Sequence, residues 1–149
     1  MKKVGFWYSK DEPLLPKPMS SKNKNEHSAE FINKCNEWIN LTNQIKNYDA
    51  MLMVKHGANI SDERYVEYCS SASCRLCGHS NGNGEYNYNG FTFPAGLFHY
   101  IVDHNIAIDE EFKKMILASQ LLDYKSLKIM TRIDKLLRQM SGSNALRYE

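Results

Sequence analysis

No apolar run in this 149-residue chain approaches the roughly 20 residues that a membrane-spanning helix needs. The basic start, MKKVGFWYSKDEP, lacks the apolar stretch of a signal peptide. Membrane-spanning and exported classes are therefore set aside, and a reducing, cytoplasmic setting is expected. Cysteine is sparse, with four residues at positions 35, 69, 74 and 77, far from the dense framework of a small secreted disulfide protein. Charge of one sign is also lacking. Nineteen Lys and Arg against 17 Asp and Glu leave a formal +2, too little to argue for nucleic acid by itself. What remains is a composition 42% hydrophobic and 24% charged, ordinary for a folded domain. The length suits one modest core, or one core with a metal-stapled satellite. The expectation is a single domain over residues 1–149, of α+β class, with a mainly helical core and a small ββα zinc-finger-like module at 69–106.

The chemistry is concentrated between Cys74 and His104. Cys74 and Cys77 form C-x2-C, and His99 and His104 form H-x4-H, with residues 78–98 between the pairs. Two thiolates and two imidazoles are the ligand set of a tetrahedral zinc site. Gly78 relieves the backbone after the first pair, and the Asn81-Gly82-Asn83-Gly84 run favours turns because both residue types tolerate positive φ. Tyr86, Tyr88, Phe91 and Phe93 then point to two short strands turning at Asn89-Gly90. Pro94 suits the first position of a helix carrying Leu97, His99, Tyr100, Ile101 and His104. Five residues on a helix leave two side chains about 140° from eclipsed. Both imidazoles therefore reach one ion only if the helix tightens or ends near His104, where Asn105 is a suitable terminator. His79 competes for one position if His104 points away. With four protein ligands the site is closed and structural, not catalytic. A redox role for C-x2-C would need it between a strand and a helix of a βαβ unit, and Gly78-His79-Ser80-Asn81 begins no helix.

Elsewhere the pattern is that of packing. Val4 to Tyr8 reads as a short strand or extended arm with two aromatic anchors, kept extended afterwards by Pro13, Pro16 and Pro18. Residues 20–27 read as a polar linker or mobile loop. A helix beginning near Ser28 or Ala29 presents Phe31, Cys35, Trp38, Thr42 and Ile45 at three- to four-residue intervals, widened by Ile32 and Ile39, and ends by Gly57 or Asn59. Cys35 lies in that stripe as a small hydrophobe and not a nucleophile, and Cys69 is read as a packed thiol. The segment around Tyr65 and Val66 is either a turn of helix or an extended approach to the cysteines. Asp109 is a candidate N-cap for a helix whose inward face is Phe112, Met115, Ile116, Ser119 and Leu122.

A last helix is expected to reach about Met140. Its apolar face includes Ile129, Ile133 and Leu137, and its opposite face carries Lys125, Lys128, Lys135, Arg132 and Arg138, five bases against the single acid Asp134. Such a face is either solvated or an acidic partner's contact, and would also suit a membrane surface. The metal-bearing helix is a poor reader of DNA, because it has no Arg or Lys, carries Asp103, and is otherwise apolar or aromatic. It reads as core.

Cys74, Arg75, Cys77 and Gly78 are followed by Asn81 or Asn83, Gly82 or Gly84, and Glu85, and then by Phe93-Pro94, Gly96, His99-Tyr100 and His104. This run resembles a family of small uncharacterised proteins of bacteria, phages and large DNA viruses, in which tryptophan is more usual at the place of Phe93. The opening GFW and the later LP-x-P share the likeness, which spans most of residues 4–118. The resemblance implies the zinc-finger-like architecture and an intracellular setting, an infected host cell included. It brings no activity with it.

Three functions follow as expectations. The first is a zinc-stabilised binding or adaptor protein without catalysis, its partner contacts drawn from Arg75, Tyr86, Tyr88 and the basic last-helix face. The partner is a protein more than a nucleic acid. The second is a metal-dependent hydrolase or nuclease with Glu85 and His79 beside an open metal position. The third is a structural component of a larger assembly.

Overall fold

The structure, a computed structural model, describes residues 2–56, 64–68 and 72–120, the side chains of 48–56 excepted. The expected basic helix with Lys125, Lys128, Arg132, Lys135 and Arg138 lies outside the described residues, as does Cys69. The fold is α+β: among the described residues, three helices and a four-stranded sheet.

The helix α1, Ala29–His56, starts where the Ser28 hydroxyl accepts the Phe31 N–H at 3.1 Å, satisfying a donor that the first turn leaves free. Its stripe Phe31, Cys35, Trp38, Thr42 and Ile45 is buried as the periodicity requires. Although 28 residues long, α1 alternates this stripe with polar residues. No helix among the described residues is long and apolar enough to cross a membrane.

The sheet comprises β1 (Lys2–Lys3), β2 (Tyr65–Glu67), β3 (Gly84–Tyr88) and β4 (Phe91–Pro94), in the order β1-β4-β3-β2. β3 and β4 form a hairpin turning at Asn89 (φ 45°) and Gly90 (φ 83°), the pair of left-handed residues whose twist matches that of the strands. The start of the chain pairs β1 with β4 in parallel and then leaves as an extended arm. Strand alternation turns Tyr65, Tyr86 and Phe93, which are mutual register partners, onto the core face, fully buried. There they meet Trp38 of α1. The Trp38 ring lies 5.0 Å from Tyr86, 5.4 Å from Phe93 and 5.6 Å from Phe98, and its indole N–H donates to Ser119 Oγ at 3.1 Å. The core is thus a helix stripe set against an aromatic sheet face.

Pro94 does not open a helix. It ends β4, and α2, Leu97–His104, follows with Gly96 at its N-cap. Leu97, Phe98, Tyr100 and Ile101 are buried, so α2 serves the core as its composition demanded. α3, Glu110–Ala118, is capped by the Asp109 carboxylate, which accepts the Phe112 N–H. The polar stretch 20–27 is not a free linker. Ser20 bridges to Ile106, the Asn105 amide reaches the Ser21 and Asn23 carbonyls, and His27 Nε2 meets the Ile106 carbonyl at 2.7 Å. The end of α2 offers unpaired backbone groups, and this stretch is what satisfies them.

Candidate metal centre

The first pair of thiols sits on a turn built for it. Ser73 and Ser80 bridge across its base, the Cys74 N–H donates to the His79 carbonyl at 2.7 Å, and the Gly78 N–H donates to the Cys74 carbonyl at 2.9 Å. Gly78 has φ 75°, the left-handed region where a side chain is strained even though open space surrounds it. The Leu76 N–H points at Cys74 Sγ at 3.4 Å. Burial alone would raise the Cys74 thiol. The Leu76 and Cys77 N–H groups, the Cys77 thiol and the Tyr100 hydroxyl outweigh it and hold the thiol below its ordinary pKa.

The helix brings the imidazoles together by ending where expected, at His104, with Asn105 as its terminator. The N–H groups of Asn105 and Ile106 both return to the Tyr100 carbonyl, five and six residues earlier, instead of closing the usual four-residue step. These bonds form a left-handed cap just beyond a helix that stays α-helical through His104. Asn105, in the left-handed conformation at φ 51°, then ends the helix. His99 and His104 are left with ring centroids 5.0 Å apart.

Knuckle and helix converge. Ligand atoms of Cys74, Cys77, His99 and His104 all lie within 4.8 Å of one another, and Cys77 Sγ is 3.3 Å from His99 Nε2. A tetrahedral ion with metal–sulfur bonds of about 2.3 Å and metal–nitrogen bonds of about 2.0–2.1 Å holds its ligands roughly 3.4–3.8 Å apart. The donor set therefore fits after a closure of about 1 Å. On its far side, His99 Nδ1 meets Asp103 Oδ2 at 2.6 Å. This contact puts the ring proton on Nδ1 and turns the Nε2 lone pair toward the thiols. His104 Nε2 is buried with no hydrogen-bond partner, a polar atom that a bound cation would satisfy.

The remaining candidates fall elsewhere. The exposed His79 lies tilted against His99, ring centroids 4.9 Å apart, but is outside the four-residue convergence. Glu85 lines a cavity to which none of the four Cys/His residues contributes. Tyr86 is fully buried, its hydroxyl 2.7 Å from Thr42 Oγ1, so it offers no partner contact. Tyr88 leans on Trp38 at 5.1 Å. The hairpin tyrosines alternate, but their face is the core face. Arg75 is exposed, yet its Nε donates to the Tyr8 carbonyl at 2.8 Å and its Nη1 to the Ser73 carbonyl. Cys35, buried against α1's neighbours, has its thiol pushed up to about 12 by desolvation and is inert. Sequence reasoning missed Asp103 and Tyr100. Asp103 follows His99 by four positions, the helical spacing at which two side chains meet, and that signal was there to use. Tyr100 accepts the Arg75 N–H on its hydroxyl at 2.8 Å, a contact no local pattern announces.

No family model, no curated protein and no solved structure matches the chain. Of the family resemblance, what stands is the Cys/Cys/His/His cluster of a zinc-finger-like module.

Proposed function

We propose that Cys74, Cys77, His99 and His104 bind one zinc ion as a closed structural centre, and that the chain is a non-catalytic binding or adaptor module. Two thiolates and two imidazoles in a tetrahedral arrangement are the donor set that favours zinc among common divalent metals. The observation that carries this reading is the convergence of four ligand atoms within 4.8 Å. It is supported by the unpartnered His104 nitrogen and by the carboxylate orienting His99. With four protein ligands no coordination position is left for water, so the ion contributes folding free energy and no hydrolytic chemistry. The module, taken as 69–106, belongs in this reading to a single domain, since β3, β4 and α2 bury their apolar faces in the same core as α1. The favoured partner is a protein.

X-ray absorption on protein purified without added zinc tests the centre. One zinc with two sulfur and two nitrogen neighbours is expected. A site with three protein ligands and a bound water would overturn the closed reading and bring forward a hydrolase acting through His79 and Glu85, and protein without stoichiometric metal would overturn both.

A further inference from the structure

The two cysteines of the metal centre differ in a way that metal binding does not require. Cys74 is buried at 3% exposure, whereas Cys77, on the same turn, is exposed. Their sulfurs lie within 4.8 Å of each other. The turn sets that approach, because the Gly78 N–H closes it on the Cys74 carbonyl at 2.9 Å. A turn this tight keeps the Cα atoms of residues three apart within about 7 Å. Disulfides span Cα separations of about 4.4–6.8 Å, with the sulfurs about 2.05 Å apart. The backbone is therefore placed for a disulfide, and rotation of the two side chains, one of them at the surface, closes the remaining gap.

No other thiol among the described residues competes for this chemistry. Cys35 is fully buried in the α1 stripe, and buried structural thiols of this kind are inert. Nor is the pair built as an oxidoreductase. Gly78 turns the chain at φ 75° and no helix begins directly after Cys77, so the strand–helix setting of a thiol that attacks other proteins' disulfides is missing. What the asymmetry supports is a pair that is itself oxidised. The outer sulfur meets an oxidant first, and the inner one is shielded from solvent yet adjacent to it. Redox-sensor cysteines share this arrangement, an accessible thiol poised beside a resolving one.

Building on the zinc-binding reading above, we infer that Cys77 is a site of attack by hydroperoxides and Cys74 its resolving partner, the pair closing a disulfide that is incompatible with a bound ion. In the first step the Cys77 sulfur takes one peroxide oxygen. An S–O bond forms, the O–O bond breaks and water leaves. In the second the Cys74 sulfur attacks that of Cys77, the S–S bond forms, the S–O bond breaks and a second water leaves. The two sulfurs together give up two electrons, and hydrogen peroxide is reduced to two waters. The two protons required come from the thiols, or from solvent where the metal has held the sulfurs as thiolates. Only a thiolate sulfur is a metal ligand, so the ion would retain His99 and His104 alone of its four ligands. A disulfide with one exposed cysteine is open to re-reduction by a small dithiol, which makes the change reversible.

The test treats the unmodified chain with hydrogen peroxide and follows zinc release to a chromophoric chelator, thiols remaining after denaturation, and peptide masses. One zinc should leave for every two thiols lost, and dithiothreitol with added zinc should restore both. Trypsin cuts after Arg75, so the disulfide should appear as two peptides joined through Cys74 and Cys77, with Cys35 still reduced. A brief exposure in the presence of dimedone, which traps sulfenic acid, should label Cys77 several-fold more than Cys74. The inference is overturned if peroxide leaves both thiols intact, if they are lost without a disulfide, if the disulfide joins Cys69 in place of either, or if dimedone marks Cys74 first. Zinc content measured before peroxide is added separates the two readings. A chain with one zinc whose cysteines resist peroxide keeps the metal centre and loses the redox pair. A zinc-free chain that forms the Cys74–Cys77 disulfide through Cys77 keeps the pair and loses the metal centre.

Discussion

Replacing Asp103 with Ala tests the metal centre at a residue that does not itself bind the ion. Its carboxylate meets His99 Nδ1 at 2.6 Å and is 58% exposed. Carboxylates that orient a metal-ligating imidazole in this way typically contribute about 10- to 100-fold to metal affinity. Solvent screening at a half-exposed carboxylate favours the lower end, about tenfold or ~1.4 kcal/mol. Asp103→Asn keeps an acceptor but loses the charge that roughly doubles such a bond, so about threefold is expected. Competition against a chromophoric zinc chelator at fixed pH and salt reads both values. The helix itself loses an i,i+4 pair worth about 0.2–0.5 kcal/mol, and since the ion contributes folding free energy, the tenfold weaker affinity should lower the stability of the zinc-loaded form by about a further 1.4 kcal/mol at a fixed excess of zinc. If both variants bind zinc as tightly as the parent, His99 is not held through Nε2 in the way its geometry dictates, and the four-ligand centre fails with it.

Zinc removal by chelation should abolish amide-exchange protection across 72–106 while the Phe31–Ile45 stripe of α1 keeps more of its own; uniform protection without metal would refute a structural ion. Trp38→Ala removes the ring at the centre of the core and strands Ser119, and should cost about 4 kcal/mol in chemical denaturation, with less than 2 refuting its central place. His27 is held below its ordinary pKa first by burial, and its Nδ1 is buried without a partner, so the folded state accepts a proton less readily than the unfolded one. The resulting stability is complete above the unfolded value of 6.5 and is lost as pH falls below it toward the lower folded value. His27→Gln should flatten that acid limb, and an unchanged pH–stability curve would show that the burial has no energetic consequence. In native protein Cys35 should resist alkylation at pH 8, and rapid modification would contradict its elevated pKa.

Periodicity made α1 readable because a stripe of large apolar residues at three- to four-residue spacing has one burial solution. The Asn89-Gly90 hairpin was readable for a comparable reason, since few dipeptides tolerate two left-handed residues in succession. The ligand pairs were visible as spacing. The helix end at Asn105 was readable as well, and what sequence could not supply was the acceptor that the Asn105 and Ile106 N–H groups share, the Tyr100 carbonyl. Pro94 misled for a related reason. Its ring fixes φ equally well for the last residue of an edge-adjacent strand and for the first turn of a helix, and register with Glu85 decided between them. Tyr86 misled because alternation reveals two faces without saying which is covered. The covering residue, Trp38 of α1, lies 48 residues before Tyr86 in sequence.

The N-terminal arm shows how a structural ion at the Cys/His cluster would bear on the rest of the fold. Its start is fastened to the sheet by β1 and Val4, through the Lys2 N–H to the Gly90 carbonyl and the Val4 N–H to the Thr92 carbonyl, each at 2.9 Å. Beyond Val4, further contacts hold it, among them the Trp7 ring on Tyr100 and the Tyr8 carbonyl on Arg75, and both of those residues belong to the segment that carries the Cys/His cluster. A loose Cys74–Gly78 turn would release Arg75 and leave Tyr100 without its N–H donor. The arm would then lose two anchors at once, each a modest interaction of about 1 kcal/mol. A structural zinc ion would in this way tighten the wall that the arm gives to the cavity between arm and sheet that Glu85 lines.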